Sequence, residues 1–206
     1  MLVGGAFIFN TERRSMRFGC CINMVASELD GIGTEHLSEL EHMGYDYVEM
    51  PLAEMMRLDG PNFLELKRRV DRLTIGCEVC NNFFPKHMRL TGQEVRMDLV
   101  LSYAERALTR AKDLGATCVV FGSGSAKNVP KGTSLEKGYQ QIVDLLNQIA
   151  SLAANRDIII CIEPLRKQEC NLINTFEEGG RLADELRHPN IKVLADYFHM
   201  MAEAEP

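Results

Sequence analysis

The sequence is short of positive charge: 23 Lys and Arg stand against 29 Asp and Glu in 206 residues, a formal charge of −6 at pH 7. A field of that sign repels phosphodiester backbones, so nucleic acid is not an expected partner, and the lone basic pair Arg13-Arg14 is too short to form a patch. No stretch approaches the ~18 consecutive apolar residues of a membrane span. No basic residue precedes the apolar run at 1–9, so a secretory signal is not expected either. Low-complexity tracts and interdomain linkers are also missing. The seven cysteines are odd in number and scattered through apolar runs, as expected of small buried side chains in a reducing cytoplasm. Cys77-Glu-Val-Cys80 has the spacing of a redox or zinc pair, but on a regular strand residues three apart point to opposite faces. A core role is expected for both.

What remains is an ordinary globular composition, 46% hydrophobic and 25% charged, and a chain of one-domain size. Residues 1–15 read as an extension and 16–206 as the domain. From there β-rich runs at 17–22, 46–50, 74–80, 117–121, 158–163 and 191–196 alternate with helical patterns. Several runs are so apolar that both faces are expected to be covered. Leu135, Tyr139, Ile142, Leu146, Ile149 and Ala153 draw one apolar stripe on a helix, and Val95, Leu99, Tyr103, Ala107 and Ala111 draw another. Thr175 with Glu178 spells a capping box, Pro61 suits a first helical turn, and Gly44 and Gly115 suit helix ends. A further helix would begin near Met201.

Strand–helix–strand repeats of this kind imply a parallel sheet, either doubly wound or a (β/α)8 barrel. The repeat is about 35 residues, so two more units would bring the chain to roughly 275, the usual scale of a TIM barrel. The expected fold is therefore a TIM barrel truncated at its C-terminal side to about six βα units.

In either architecture the functional face lies at the C-terminal ends of the strands. The fifth run closes as Ile158-Ile-Ile-Cys-Ile-Glu163-Pro164 and the sixth as Val193-Leu-Ala-Asp196-Tyr-Phe-His199. A carboxylate directly after an apolar strand is costly unless a cation compensates it. Glu163 and Asp196 sit on neighbouring strands and could grip one divalent ion, for which oxygen ligands suit manganese, magnesium or cobalt. The bland alternatives are that Glu163 caps a helix or pairs with a nearby Arg such as Arg166, and that Asp196 is a helix cap. Gly122-Ser-Gly124 after the fourth run would let backbone approach a ligand. The loop Asn81-Asn-Phe-Phe-Pro85 could line a pocket, although an ordinary loop is the plainer reading.

The segment Ile162-Glu-Pro-Leu-Arg-Lys-Gln-Glu169-Cys-Asn-Leu-Ile-Asn-Thr175, with Asp196-Tyr-Phe-His199-Met and Phe121-Gly-Ser-Gly-Ser-Ala-Lys-Asn-Val-Pro130, resembles the sugar phosphate isomerase/epimerase superfamily. Within it the segments are similar to the D-tagatose 3-epimerase and D-psicose (allulose) 3-epimerase branch. The resemblance implies a xylose isomerase-like TIM barrel with one divalent metal, manganese or cobalt. It implies Glu163 as metal ligand and acid/base, Asp196 as metal ligand, and His199 and Glu169 as contacts to substrate hydroxyls. It also implies a His ligand on a seventh strand and a Glu on an eighth, the latter being the second acid/base; neither strand is in this sequence. Arg166-Lys167 and Cys170 depart from the usual Asn-Arg and Thr. The implied activity is ketose isomerisation or epimerisation, C3 epimerisation first, on a small sugar in the cytoplasm, by a protein that is a homo-oligomer when full length.

Two alternatives stand beside it. An endonuclease IV-like metallohydrolase would need several zinc ions and a basic surface, but there are five His in all, and His36, His42, His87 and His188 fall in helices or loops. A barrel remnant could also bind a sugar without turnover.

Overall fold

The computed structural model describes residues 16–206; the extension expected at 1–15 lies outside them. Six parallel strands form one sheet: β1 (Gly19–Cys21), β2 (Tyr47–Pro51), β3 (Gly76–Asn81), β4 (Cys118–Phe121), β5 (Ile159–Ile162) and β6 (Ile191–Val193). Each pairs with its neighbour in sequence, in the order β1-β2-β3-β4-β5-β6. A doubly wound sheet reverses its order at a switch point, so this uninterrupted order is that of a TIM barrel. All six strands overlap the runs expected from sequence.

The helices are α1 (Leu37–His42), α2 (Leu52–Met55), α3 (Gly60–Asp71), α4 (Met97–Asp113), α5 (Gly124–Lys127), α6 (Leu135–Ala154), α7 (Phe176–Leu186) and α8 (Tyr197–Ala202). Among the described residues none is long and apolar enough to cross a membrane. Local chemistry sets their ends. The Asp59 carboxylate accepts the Asn62 N–H at 2.9 Å ahead of Pro61. Thr175 and Glu178 form the expected capping box, each side chain accepting the other's main-chain N–H. Gly44 and Gly115 follow their helices with φ of 83° and 94°, a left-handed conformation that costs glycine little.

Two expectations shift. On α4 the buried stripe is Val100, Tyr103, Ala104, Ala107, Leu108 and Ala111, while Leu99 is exposed and Val95 precedes the helix. The Tyr103 hydroxyl, donating to the Phe83 carbonyl at 3.0 Å, fixes which side of the helix faces the sheet. Leu135 is likewise exposed at the first turn of α6. The last helix begins at Tyr197 rather than near Met201, because Asp196 caps it.

The sheet has an outer face under the helices and an inner face. Val48, Met50, Cys80, Val119, Ile160 and Ile162 point outward into one continuous core with Leu108, Leu145, Leu146 and Ile149. Each large aliphatic side chain buried there contributes about 1.5–3 kcal/mol relative to exposure. On the inner face Ile159 is 37% exposed, and among the described residues β1 and β6 do not pair with each other.

Another correction concerns Cys77 and Cys80. In the β2–β3 ladder Val48 faces Cys77 but Glu49 faces Val79, which leaves Glu78 as an extra residue. This β-bulge restores the parity. Both cysteines therefore point outward and are buried, and the core role expected for them stands on different geometry.

Candidate active site

At the C-terminal ends of the strands lies a cleft of about 970 Å³, lined from β1 by Cys21, from β2 by Glu49, from β3 by Asn81, and by Gly122, Glu163 and Asp196. Glu163 follows β5 directly, and its N–H donates to the Phe121 carbonyl at 3.2 Å, continuing the ladder by one step. Gly122 stands opposite; a Cβ there would overlap Glu163 Oε2. The absence of a side chain at 122 is what admits the carboxylate.

Asp196 lies beyond β6 at the N-terminus of α8, where its Oδ1 accepts the His199 N–H at 3.0 Å. The helix cap considered as the bland reading is thus real. It engages one oxygen and leaves the other free, so cap and ligand are compatible roles. The cap turns His199 back toward the cleft, three residues on, where its ring is buried. Ligand atoms of Glu163, Asp196 and His199 lie within 4.8 Å of one another. Glu169 is placed apart from this cluster, exposed on the rim and held by Arg166 Nε at 2.7 Å. The alternative Glu163–Arg166 pair does not form.

Electrostatics mark the cluster as short of positive charge. Burial pushes the Glu163 carboxyl up to about 7, and the charge of Asp196 adds to the effect. Glu49, inward-facing on β2, is also raised, by burial first and Asp196 last. Lys127 opposes this. Its side chain is fully buried, its Nζ donates to the Glu163 main-chain carbonyl at 3.1 Å, and its ammonium pulls the Glu163 carboxyl down. Neither Glu49 nor Lys127 was singled out from sequence. The signal for Glu49 was a carboxylate alternating with buried residues along a strand; for Lys127 there was none beyond its place in the loop after β4.

Two carboxylates and an imidazole converging without a cation on their side-chain atoms fit a hard or borderline divalent ion. His199 differs from the two acids. Its Nδ1 accepts the Arg166 N–H at 3.4 Å, which leaves Nε2 to carry the proton of the neutral ring.

Residues 37–206 match the family described as xylose isomerase-like TIM barrel. D-psicose 3-epimerase of Ruminiclostridium cellulolyticum is 33% identical over 67 residues, 32% of this chain and 23% of that protein. Ketose 3-epimerase of Arthrobacter globiformis is 23% identical over 198 residues, 91% of this chain and 64% of that protein. The chain thus matches less than two thirds of the length of either. Among solved structures, a D-psicose 3-epimerase crystallised in the presence of D-fructose superposes with a TM-score of 0.80 at 19% identity, over 93% of this chain and 67% of its own. That likeness bears on the fold, and together with the family match over 37–206 it leads to one assignment: the chain belongs to the xylose isomerase-like TIM barrel family.

Proposed function

We propose that this chain carries the greater part of a metal-dependent ketose epimerase, with C3 epimerisation of a small sugar as its reaction. The observation that supports this reading above all is the convergence of Glu163, Asp196 and His199 within 4.8 Å at the strand ends of such a barrel. Glu163 and Asp196 are the proposed ligands of the ion, manganese or cobalt with magnesium as the alternative. A divalent ion held there supplies Lewis-acid stabilisation of negative charge on adjacent substrate oxygens.

The chain's own residues have the following roles. Glu163 removes the proton next to the ketose carbonyl as a general base, and its position beside Gly122 aims it into the cleft. The substrate then carries an enediolate. Return of a proton to the opposite face inverts the carbon, for which a second acid is needed. His199 Nε2 donates to a substrate hydroxyl, and Glu169, steadied by Arg166, accepts from another. With one acid/base among these residues, residues 1–206 alone are expected to turn over slowly, and the full-length protein is expected to be a cytoplasmic homo-oligomer. The hydrolase alternative calls for several zinc ions and a basic surface. A charge of −6 and a single donor cluster among the described residues do not favour it.

Incubation of candidate ketoses with the protein in heavy water tests the reading. Deuterium should appear at C3 with the wild type and be lost with Glu163→Gln. Turnover without label would remove Glu163 from its acid/base role, and cleavage of abasic DNA would restore the hydrolase.

A further inference from the structure

One buried cation stands behind Glu163. Lys127 closes the short helix α5, and its side chain is wholly shielded from solvent. An ammonium taken out of water is costly unless other groups replace the water around it. Here its hydrogen-bond acceptor is the main-chain carbonyl of Glu163, 3.1 Å from Nζ, and the centre of the Phe121 ring lies 5.6 Å away. The hydrogen bond is thus directed at a peptide group of the strand exit, not at a carboxylate oxygen.

The ladder explains why a side chain is needed at that carbonyl. β5 pairs with β4 as far as Ile162 opposite Phe121, and the Glu163 N–H continues the pattern by donating to the Phe121 carbonyl. In a regular parallel pair the same residue would accept from the N–H two places further along the partner strand, at Ser123. Ser123 instead takes a φ of 43° and turns the chain into α5. On the other side Pro164 has no N–H with which to pair toward β6. Both ordinary ways of fixing the Glu163–Pro164 peptide are therefore lost, and Lys127 supplies the missing donor from the end of α5. The same segment bounds the other end of the residue, where a Cβ at Gly122 would overlap Glu163 Oε2. A Cβ at Gly124 would meet Leu165 Cδ1 at 2.9 Å and the Glu169 carbonyl oxygen at 3.2 Å, so α5 lies directly against the chain that follows. α5 is in turn anchored from the β3 exit: the Leu90 N–H donates to the Ala126 carbonyl at 3.0 Å, and Arg89 donates to the Ser125 carbonyl at 3.1 Å.

We propose that Lys127 is the positioning residue of Glu163: its ammonium acts as the last rung of the β4–β5 ladder and so sets the direction in which the carboxylate enters the cleft, an assignment that rests on the epimerase reading for what the carboxylate does there. A lysine suits this post because its flexible four-carbon stem reaches from the helix to the strand and its three donors rotate to meet one carbonyl. Its charge alone would act in the other direction, since a cation behind the site repels a divalent ion in front of it. Placement and charge thus carry effects of opposite sign on metal binding, and the two are separable.

Titration of the 206-residue chain with manganese(II), followed by calorimetry and, where binding is weak, by water-proton relaxation, tests it. Lys127→Met, which keeps the stem and removes the donor, should weaken binding roughly 10–100-fold. The same substitution made in Glu163→Gln should change the affinity less than about twofold, because the side chain it positions is no longer the charged ligand. Urea denaturation shows whether each variant is folded, and Lys127→Gln replaces Lys127→Met if the latter is not. Unchanged or tighter binding in Lys127→Met, or equal weakening in both backgrounds, would overturn the proposal while leaving Glu163 and Asp196 as ligands. A wild type that takes up no manganese would overturn the metal-site reading itself, and the role of Lys127 with it.

Discussion

The exits of β5 and β1 are built on different principles. After β5 the chain is tied from several sides. The Lys127 ammonium holds the Glu163 carbonyl. Asn174 donates to the carbonyls of Leu165 and Cys170 at 2.6 and 2.8 Å. Asn171 exchanges hydrogen bonds with Val129, accepting its N–H at 2.8 Å and donating to its carbonyl at 2.9 Å. After β1, a strand of three residues, one carboxylate does most of the tying. Glu35 accepts the main-chain N–H of Ser27 at 2.6 Å and of Glu28 at 3.1 Å, together with the Ser27 hydroxyl at 2.9 Å, while Met24, Val25 and Leu29 remain exposed. The difference lies in what holds each exit: at the strand that carries Glu163, two amides and a buried ammonium; at the one across the cleft, a carboxylate latch within its own loop, joined from outside by Arg57, Arg69 and Asn81 donating to Asp30, Thr34 and Asn23.

If the supports of the β5 exit are structural, removing the most buried of them should cost most. Asn174→Ala leaves two buried carbonyls without a donor and should destabilise the protein by roughly 2–4 kcal/mol, measured by urea denaturation. A loss below about 1 kcal/mol would mean that the loop is held elsewhere. Gly122→Ala acts next. Its Cβ should push the Glu163 carboxylate out of place and weaken manganese binding by roughly 10–100-fold, with little change in the urea midpoint. Calorimetric titration checks the affinity, and an unchanged value would show that the carboxylate has room to spare.

The smallest effect should come from the β1 side. Hydrogen bonds from the Ser27 and Glu28 amides hold the Glu35 carboxyl down at about 2, against an ordinary value of 4.5. A lowered folded pKa contributes stability that is complete above the unfolded value and is lost as pH falls from about 4.5 toward 2. The wild type should therefore exceed Glu35→Gln in stability at pH 6, and the two should converge as pH approaches 2. Parallel curves would deny the latch its charge dependence.

What sequence revealed and what it hid follow from the range of the interactions. The strands were legible because apolar runs with β-branched residues are local signals, and Glu163 and Asp196 stood out as charges ending such runs. His199 was legible from its spacing of three, which one helical cap converts into proximity. The true counter-charge of the β5 exit was not. Arg166 is near Glu163 in sequence but turns to Glu169, whereas Lys127 reaches it from 36 positions away. Glu49 was hidden for the same reason, since only the closing of the strands side by side brings β2 to face β5. The exposure of Leu99 was missed because a stripe of small residues does not fix a helix's rotation to within one position.

The extra residue at Glu78 can be viewed as a reading-frame device in three dimensions. Everything in β3 after it is displaced by one place, so that Val79 and Asn81 align with Glu49 and Pro51 and the amide reaches the cleft. Arg17 fastens the displaced residue, donating to both Glu78 carboxylate oxygens at 2.6 and 2.5 Å with its guanidinium over the Tyr47 ring. Drawing Glu78 into regular register, with no bulge, would leave the strand and its hydrogen bonds available but turn its last three side chains over. Asn81 would be driven into the apolar layer and the Cys80 thiol would take its place, so the polar character of this wall of the cleft depends on one residue being held out of the ladder.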